Sequence, residues 1–250
     1  MISKCILAGA CLFFSVASYA EDCVVLLHGL ASHPLVMKPM ELAIDIQPEF
    51  RVVNKGYNSY SGNIQALADR VVPEAIARCE LKDGEKISFV THSMGGLLAR
   101  AYLAETEVPA LNSVIMIAPP NQGSEIVDWL QQYPPLVSVL GPAGSQLGTG
   151  DHELPATLPQ PEFSLGVIAG TQSNSLFWRK QLPGKNDGKV STDSVKTKNL
   201  NALSAYYEVK AKHAELLFER ETLAQVLSFL RYGSFGVNQV ACSATELRAE

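Results

Sequence analysis

Residues 86–104 read Lys86-Ile87-Ser88-Phe89-Val90-Thr91-His92-Ser93-Met94-Gly95-Gly96-Leu97-Leu98-Ala99-Arg100-Ala101-Tyr102-Leu103-Ala104. An apolar run ends in Thr91-His92-Ser93-Met94-Gly95-Gly96, and a helix-forming run follows at once, through Leu103. The pattern predicts a strand, a sharp corner and a helix, with Ser93 at the corner. The strand supplies rigidity, and the corner pushes the hydroxyl out of the backbone envelope. The helix start brings free N–H groups and a positive dipole end beside any anion formed there. Gly95 and Gly96 keep side chains out of the place where helix and strand cross. The spacing is that of G-x-S-x-G, with Thr91 where the first glycine would stand. An ordinary βα turn with glycines for packing would use the same residues, so the rest of the chain has to decide.

Outward from that corner, short apolar or β-branched runs recur at Cys23–Leu27, Arg51–Val53, Ile87–Val90, Ser113–Ile117, Leu165–Ala169 and Tyr206–Lys210. Between them lie helix-like stretches. Asn63–Cys79 places Ile64, Leu67, Ala68, Val71, Val72, Ala75, Ile76 and Cys79 on one face, with Pro73 on the other, where it should kink rather than abolish the helix. Glu221–Leu230 predicts a closing helix. Strands alternating with helices imply an α/β fold: a mostly parallel sheet of about six strands with helices on both faces. Ligands of such sheets sit at the carboxyl ends of the strands.

The rhythm breaks from Pro119 to Phe163, which holds eight of the fourteen prolines; one amphipathic piece, Glu125–Tyr133, lies within it. A long surface loop would have this composition, and so would a cap over the strand ends. We expect the cap, at 119–163. No lysine or arginine occurs between Ala101 and Trp178, against seven acidic residues, so a mouth built there should be apolar to acidic. That disfavours phosphate-bearing substrates.

The first twenty residues read separately. Lys4, an apolar run from Cys5 to Ala17, then Ser18-Tyr19-Ala20 describe a secretory signal peptide cleaved after Ala20. The run is too short to span a bilayer comfortably. Removing Lys4 leaves 19 basic against 25 acidic residues, a balance that disfavours a nucleic-acid or anionic-membrane partner. The expected order is signal peptide 1–20, one domain 21–232, and a polar tail 233–250. Of the remaining cysteines, Cys23 opens the first strand and Cys79 closes the helix before the serine strand, on one edge of the layer. An oxidising compartment permits a bridge between them; two buried free thiols fit the same positions. Cys242 would be left over, and no metal-type cysteine or histidine spacing occurs.

A serine hydroxyl needs a base, and the base needs a third group to fix its tautomer. Five histidines follow the leader. His28 and His33 precede the serine strand, His92 adjoins Ser93, and His152 lies in the proline-rich segment. His213 follows the last predicted strand at the carboxyl edge, and is the expected base. The acid should lie between serine and base. Asp187 stands at the tip of a turn-rich loop between Gly184 and Gly188, with Asp193 as a rival; Asn-Asp-Gly is also ordinary turn chemistry. Backbone N–H donors for an oxyanion are expected from Met94, after the serine, and from Leu30, after His28-Gly29. His28 is expected to organise its loop rather than act as a second base.

With these residues assembled, the chain resembles secreted bacterial lipases and esterases of the α/β-hydrolase superfamily, and hydrolases related to the GPI inositol-deacylase domain. The matching pieces are Val24–Leu30, Thr91–Gly96, Ala118–Ser124, Asn186-Asp187-Gly188 and His213. The resemblance implies Ser93 as nucleophile, His213 as base, Asp187 as acid, Leu30 and Met94 as oxyanion donors, and no cofactor. It implies a lipid or small ester substrate and contact with a lipid interface through the cap. Thr91 departs from glycine, and Asn121 stands where many lipases carry histidine, which leaves a cap-anchoring contact in question. No calcium-site signature occurs. Acyl transfer to an alcohol or amine on the same triad, and a non-catalytic binding role on a hydrolase scaffold, are the other readings.

Overall fold

The structure, a computed structural model, describes residues 21–175, 178–198 and 204–236. The expected leader 1–20 and most of the tail, including Cys242, lie outside the described residues. Six parallel strands form one sheet in the order β2-β1-β3-β4-β5-β6. They are β1 (Asp22–Leu27), β2 (Phe50–Lys55), β3 (Ile87–His92), β4 (Leu111–Ile117), β5 (Leu165–Gly170) and β6 (Ser204–Val209). The helices are α1 (Lys38–Asp45), α2 (Ile64–Arg78), α3 (Met94–Glu105), α4 (Glu125–Gln131), α5 (Pro134–Gly144), α6 (Leu154–Thr157), α7 (Thr192–Val195) and α8 (Arg220–Tyr232).

Alternation along each strand divides the core into two layers. Val25, Leu27, Phe89, Val114, Met116 and Val167 face α2 and α3. Val24, Leu26, Val90, Ile115, Ile117 and Ile168 face α1 and α8. Strands β1 and β3–β5 are coated on both sides, which is why their sequences are mostly apolar rather than alternating. Strand β2 lies at an edge, and its central residues are only half-buried.

Each expected strand and helix is present, with ends that differ by a few residues. Asn63 caps α2 by accepting the Ala66 N–H, and α2 runs through Pro73 to Arg78. Helix α1 was not anticipated. Its apolar stripe is divided between buried Met40 and Ile44 and exposed Leu42, which blurs the periodicity. The described residues run four positions past the expected boundary at Tyr232. Gly233 takes the left-handed conformation that ends α8. Phe235 then packs on Phe229 and Tyr207, and the Gly236 N–H donates to Gln225.

Cys23 and Cys79 are joined in a disulfide, so the bridge, not the pair of free thiols, ties the start of β1 to the end of α2. Helices α4, α5 and α6 lie in the interrupted segment 119–163. Tyr60, in the loop after β2, donates its hydroxyl to Val139, and Gln146 accepts the Ile64 N–H at the start of α2. The segment is thereby seated against the loops at the carboxyl edge of the sheet.

Candidate active site

The chain leaves β1 for β2 on one side and returns to β3 on the other, so the loops after β1 and β3 part at a switch in strand order. Leu27 and Thr91 are register partners, which makes His28-Gly29-Leu30 the immediate neighbour of Ser93. Ser93 has φ 54° and ψ −127°, a conformation that L-residues rarely adopt. It is held there by its N–H, which donates to Ile117 at 2.8 Å, and by the start of α3. Gly95 is what allows the helix so close. A Cβ there would stand 2.6 Å from the carbonyl oxygens of both Leu27 and His28. Thr91, in place of the first glycine, is buried and donates its hydroxyl to the Ile115 carbonyl within the core.

His213 and Asp187 meet across 26 residues, with Nδ1 of the imidazole 2.7 Å from Asp187 Oδ2. The carboxylate is buried. Its other oxygen accepts the N–H groups of Lys189 and Val190, at 2.9 and 2.8 Å. Burial alone would raise the Asp187 pKa, but the His213 charge and these hydrogen bonds outweigh it and hold the carboxyl below its ordinary range. The His213 N–H also donates to the Asp187 carbonyl, at 3.0 Å, so backbone as well as side chain joins the two loops. Gly188 (φ 92°) makes the turn that points the carboxylate inwards. Asp193 is brought elsewhere: its side chain is 84% exposed and pairs with Lys196.

The loop after β1 is held by groups that sequence reasoning missed. The Tyr57 hydroxyl donates to the His28 carbonyl, and the Tyr57 N–H reaches His28 Nε2 at 3.4 Å. The two rings stack at 4.1 Å. Since Nε2 accepts, Nδ1 carries the proton and donates to the Gly29 carbonyl at 2.9 Å. Burial lowers the His28 pKa and keeps the ring neutral. Ser59 accepts the Ala31 N–H, fixing Ala31 at φ 52°. Leu30, between these anchors, borders the site cavity; Met94 is the first residue of α3, where N–H groups lack intrahelical acceptors. A Gly-Tyr-Asn-Ser stretch at the carboxyl end of the strand beside β1 was the available signal.

Ser93 and His213 open on one cavity of about 280 Å³. Leu30, Ile126, Val127, Leu130, Leu140 and Val190 supply most of its apolar wall. Among the described residues the mouth, expected to be apolar to acidic, is apolar: no carboxylate borders it, and the charged side chain there is Lys189, two residues past Asp187. His33 and His152 do not line this cavity, whereas His92 lies behind it against His213. Asn121 accepts from Arg100 at 3.0 Å and donates to the Val195 carbonyl at 2.9 Å, tying the start of the cap to α3 and α7. That is an anchoring contact of the kind left open by the departure from histidine.

The sheet order and the strand-to-helix corner define an α/β-hydrolase fold. Residues 18–130 match a family model described as "Putative serine esterase (DUF676)". Similar solved structures include the mature form of the Bacillus licheniformis lipase BlEst2 (15% identity, 86% of this chain and 92% of that one, TM-score 0.61). Others are phospholipase PlaB from Legionella pneumophila (17%, 86% and 60%, TM-score 0.64) and lipase B from Aspergillus fumigatus (14%, 88% and 56%, TM-score 0.62). No curated protein sequence matches the chain.

Proposed function

We propose that the protein is a serine carboxylic-ester hydrolase acting on lipid esters. The observation that carries this reading is the convergence of the strained Ser93 and the His213–Asp187 pair on one apolar cavity. Ser93 is the nucleophile, His213 the general base and Asp187 the group that fixes the base as its Nδ1–H tautomer. Nε2 of His213 takes the serine proton as Oγ attacks the ester carbonyl. The tetrahedral oxyanion is bound by the N–H groups of Leu30 and Met94; one such donor contributes about 100- to 1000-fold in rate. Collapse expels the alcohol, which receives the proton from His213. Water then enters by the same base and releases the acid.

The apolar wall suits an acyl chain, and the lipases and phospholipase of similar fold support a lipid substrate. Tyr133 and Val139 are exposed on the cap and would meet a lipid interface. Residues 1–20 direct export to the periplasm or beyond, a reading that the Cys23–Cys79 bridge supports. The test is a p-nitrophenyl ester chain-length series, with Ser93→Ala and His213→Ala beside wild type and butanol as a competing acceptor. Hydrolysis lost in both variants supports the reading. Butyl ester as the main product would assign acyl transfer instead.

A further inference from the structure

His92 is the residue for which the proposed mechanism has no use, although it stands against the proposed base. Its ring is buried under the His213 ring, with centroids 4.7 Å apart and planes tilted by 50°. Its Nε2 lies 3.1 Å from the backbone carbonyl oxygen of His213. A carbonyl can only accept, so Nε2 carries the proton and Nδ1 bears a lone pair. Nδ1 is buried and has no hydrogen-bond partner. It faces the loop after β1, where a Cβ on Gly29 would stand 3.5 Å away. The imidazole thus fills the space between the two loops that must meet at Ser93.

Resting on the triad reading above, we propose that His92 is a positioning residue, a neutral N–H donor that fixes the His213 backbone so that its Nε2 faces Ser93. The two backbone groups of His213 are then both engaged: its N–H by Asp187 and its C=O by His92. Only the side chain is left to move, about bonds already restrained by the Asp187 carboxylate. A second imidazole so close to the base would be a hazard if it competed for the serine proton. Burial first, and then the neighbouring His213 charge, prevent this by lowering the His92 pKa to about 3. The donor role itself follows from the carbonyl that Nε2 faces.

The test uses two variants of the full exported chain. His92→Phe keeps an aromatic ring but removes the donor; His92→Gln restores an N–H at the reach of Nε2. His92→Phe should lower kcat on a soluble ester roughly tenfold to hundredfold, the scale of a misplaced catalytic group, with KM changed less than threefold. His92→Gln should recover most of that loss. Wild-type kcat in His92→Phe would overturn the proposal. So would an equal fall in both variants, which is what mere space filling gives. If His92→Phe does not fold, histidine ¹⁵N spectra of the wild type decide. His92 as a neutral Nε2–H tautomer from pH 5 to 8 supports the donor role; an Nδ1–H tautomer or a titrating ring contradicts it. Failure of the triad reading would look different, because Ser93→Ala would then retain activity.

Discussion

Replacing Asp187 by asparagine isolates what the carboxylate does. In the wild type, one oxygen accepts two backbone N–H groups, from Lys189 and Val190, and the other accepts Nδ1–H of His213. Those two N–H groups dictate the orientation of an asparagine amide. The amide oxygen must face them, so the amide NH₂ must face His213. Two donors cannot share that contact, and the imidazole answers by moving its proton to Nε2. A base protonated at Nε2 cannot accept the Ser93 hydroxyl proton. Triads altered in this way lose about 10⁴-fold in kcat, equivalent to about 5 kcal/mol of barrier. The fold should survive, since all of these contacts keep partners. Replacing charge-assisted hydrogen bonds by neutral ones costs on the order of 1–2 kcal/mol, or a few degrees in Tm at this chain length. The assay is kcat on a soluble p-nitrophenyl ester at 20 °C, with Tm measured alongside. A folded Asp187→Asn within tenfold of wild type would refute the reasoning, as would an equal loss in Asp193→Asn, where the carboxylate is exposed.

Three further outcomes follow from the contacts. Tyr57→Phe removes the hydroxyl that holds the His28 carbonyl; it should lower kcat by about fivefold with little change in KM, since a typical hydrogen bond contributes about 1 kcal/mol, and steady-state kinetics check this. Replacing Cys23 and Cys79 by serine releases a loop with a sequence separation of 56; the chain-entropy model gives about 4 kcal/mol, or about 8–16 °C in Tm, measured by calorimetry. His28 and His92 have pKa values below their unfolded ones. The unfolded chain therefore binds more protons below pH about 6.5, and stability should fall with pH by up to about 1.4 kcal/mol per unit for each ring. Asp187, whose folded pKa is also lowered, adds to this only below its unfolded pKa of about 3.9. Denaturant midpoints between pH 7 and 4.5 should fall, and His92→Gln should flatten the slope.

What could be read from the chain was local. The corner at Ser93 is written in contiguous residues, because strand, turn and helix need β-branched, small and helix-forming residues in that order. Asp187 was singled out by chain order and by glycines that permit its turn, and it lies against His213. The supports of the site were hidden because they are tertiary. Tyr57 matters only because β2 pairs with β1, and His92 only because β6 returns its loop over β3. Lys189 reaches the cavity through the turn that Asp187 makes, so a count of charges in the cap could not foresee it. Phe235 packs on Phe229, a contact that no short-range pattern records.

The central claim is that Ser93 is a nucleophile driven by His213. Intact-protein mass spectrometry after brief exposure to a fluorophosphonate tests it most directly. The account predicts one adduct, mapped to Ser93, formed quickly by wild type and absent or far slower in His213→Ala. An unmodified wild type that remains folded, or an adduct on another residue, would contradict it.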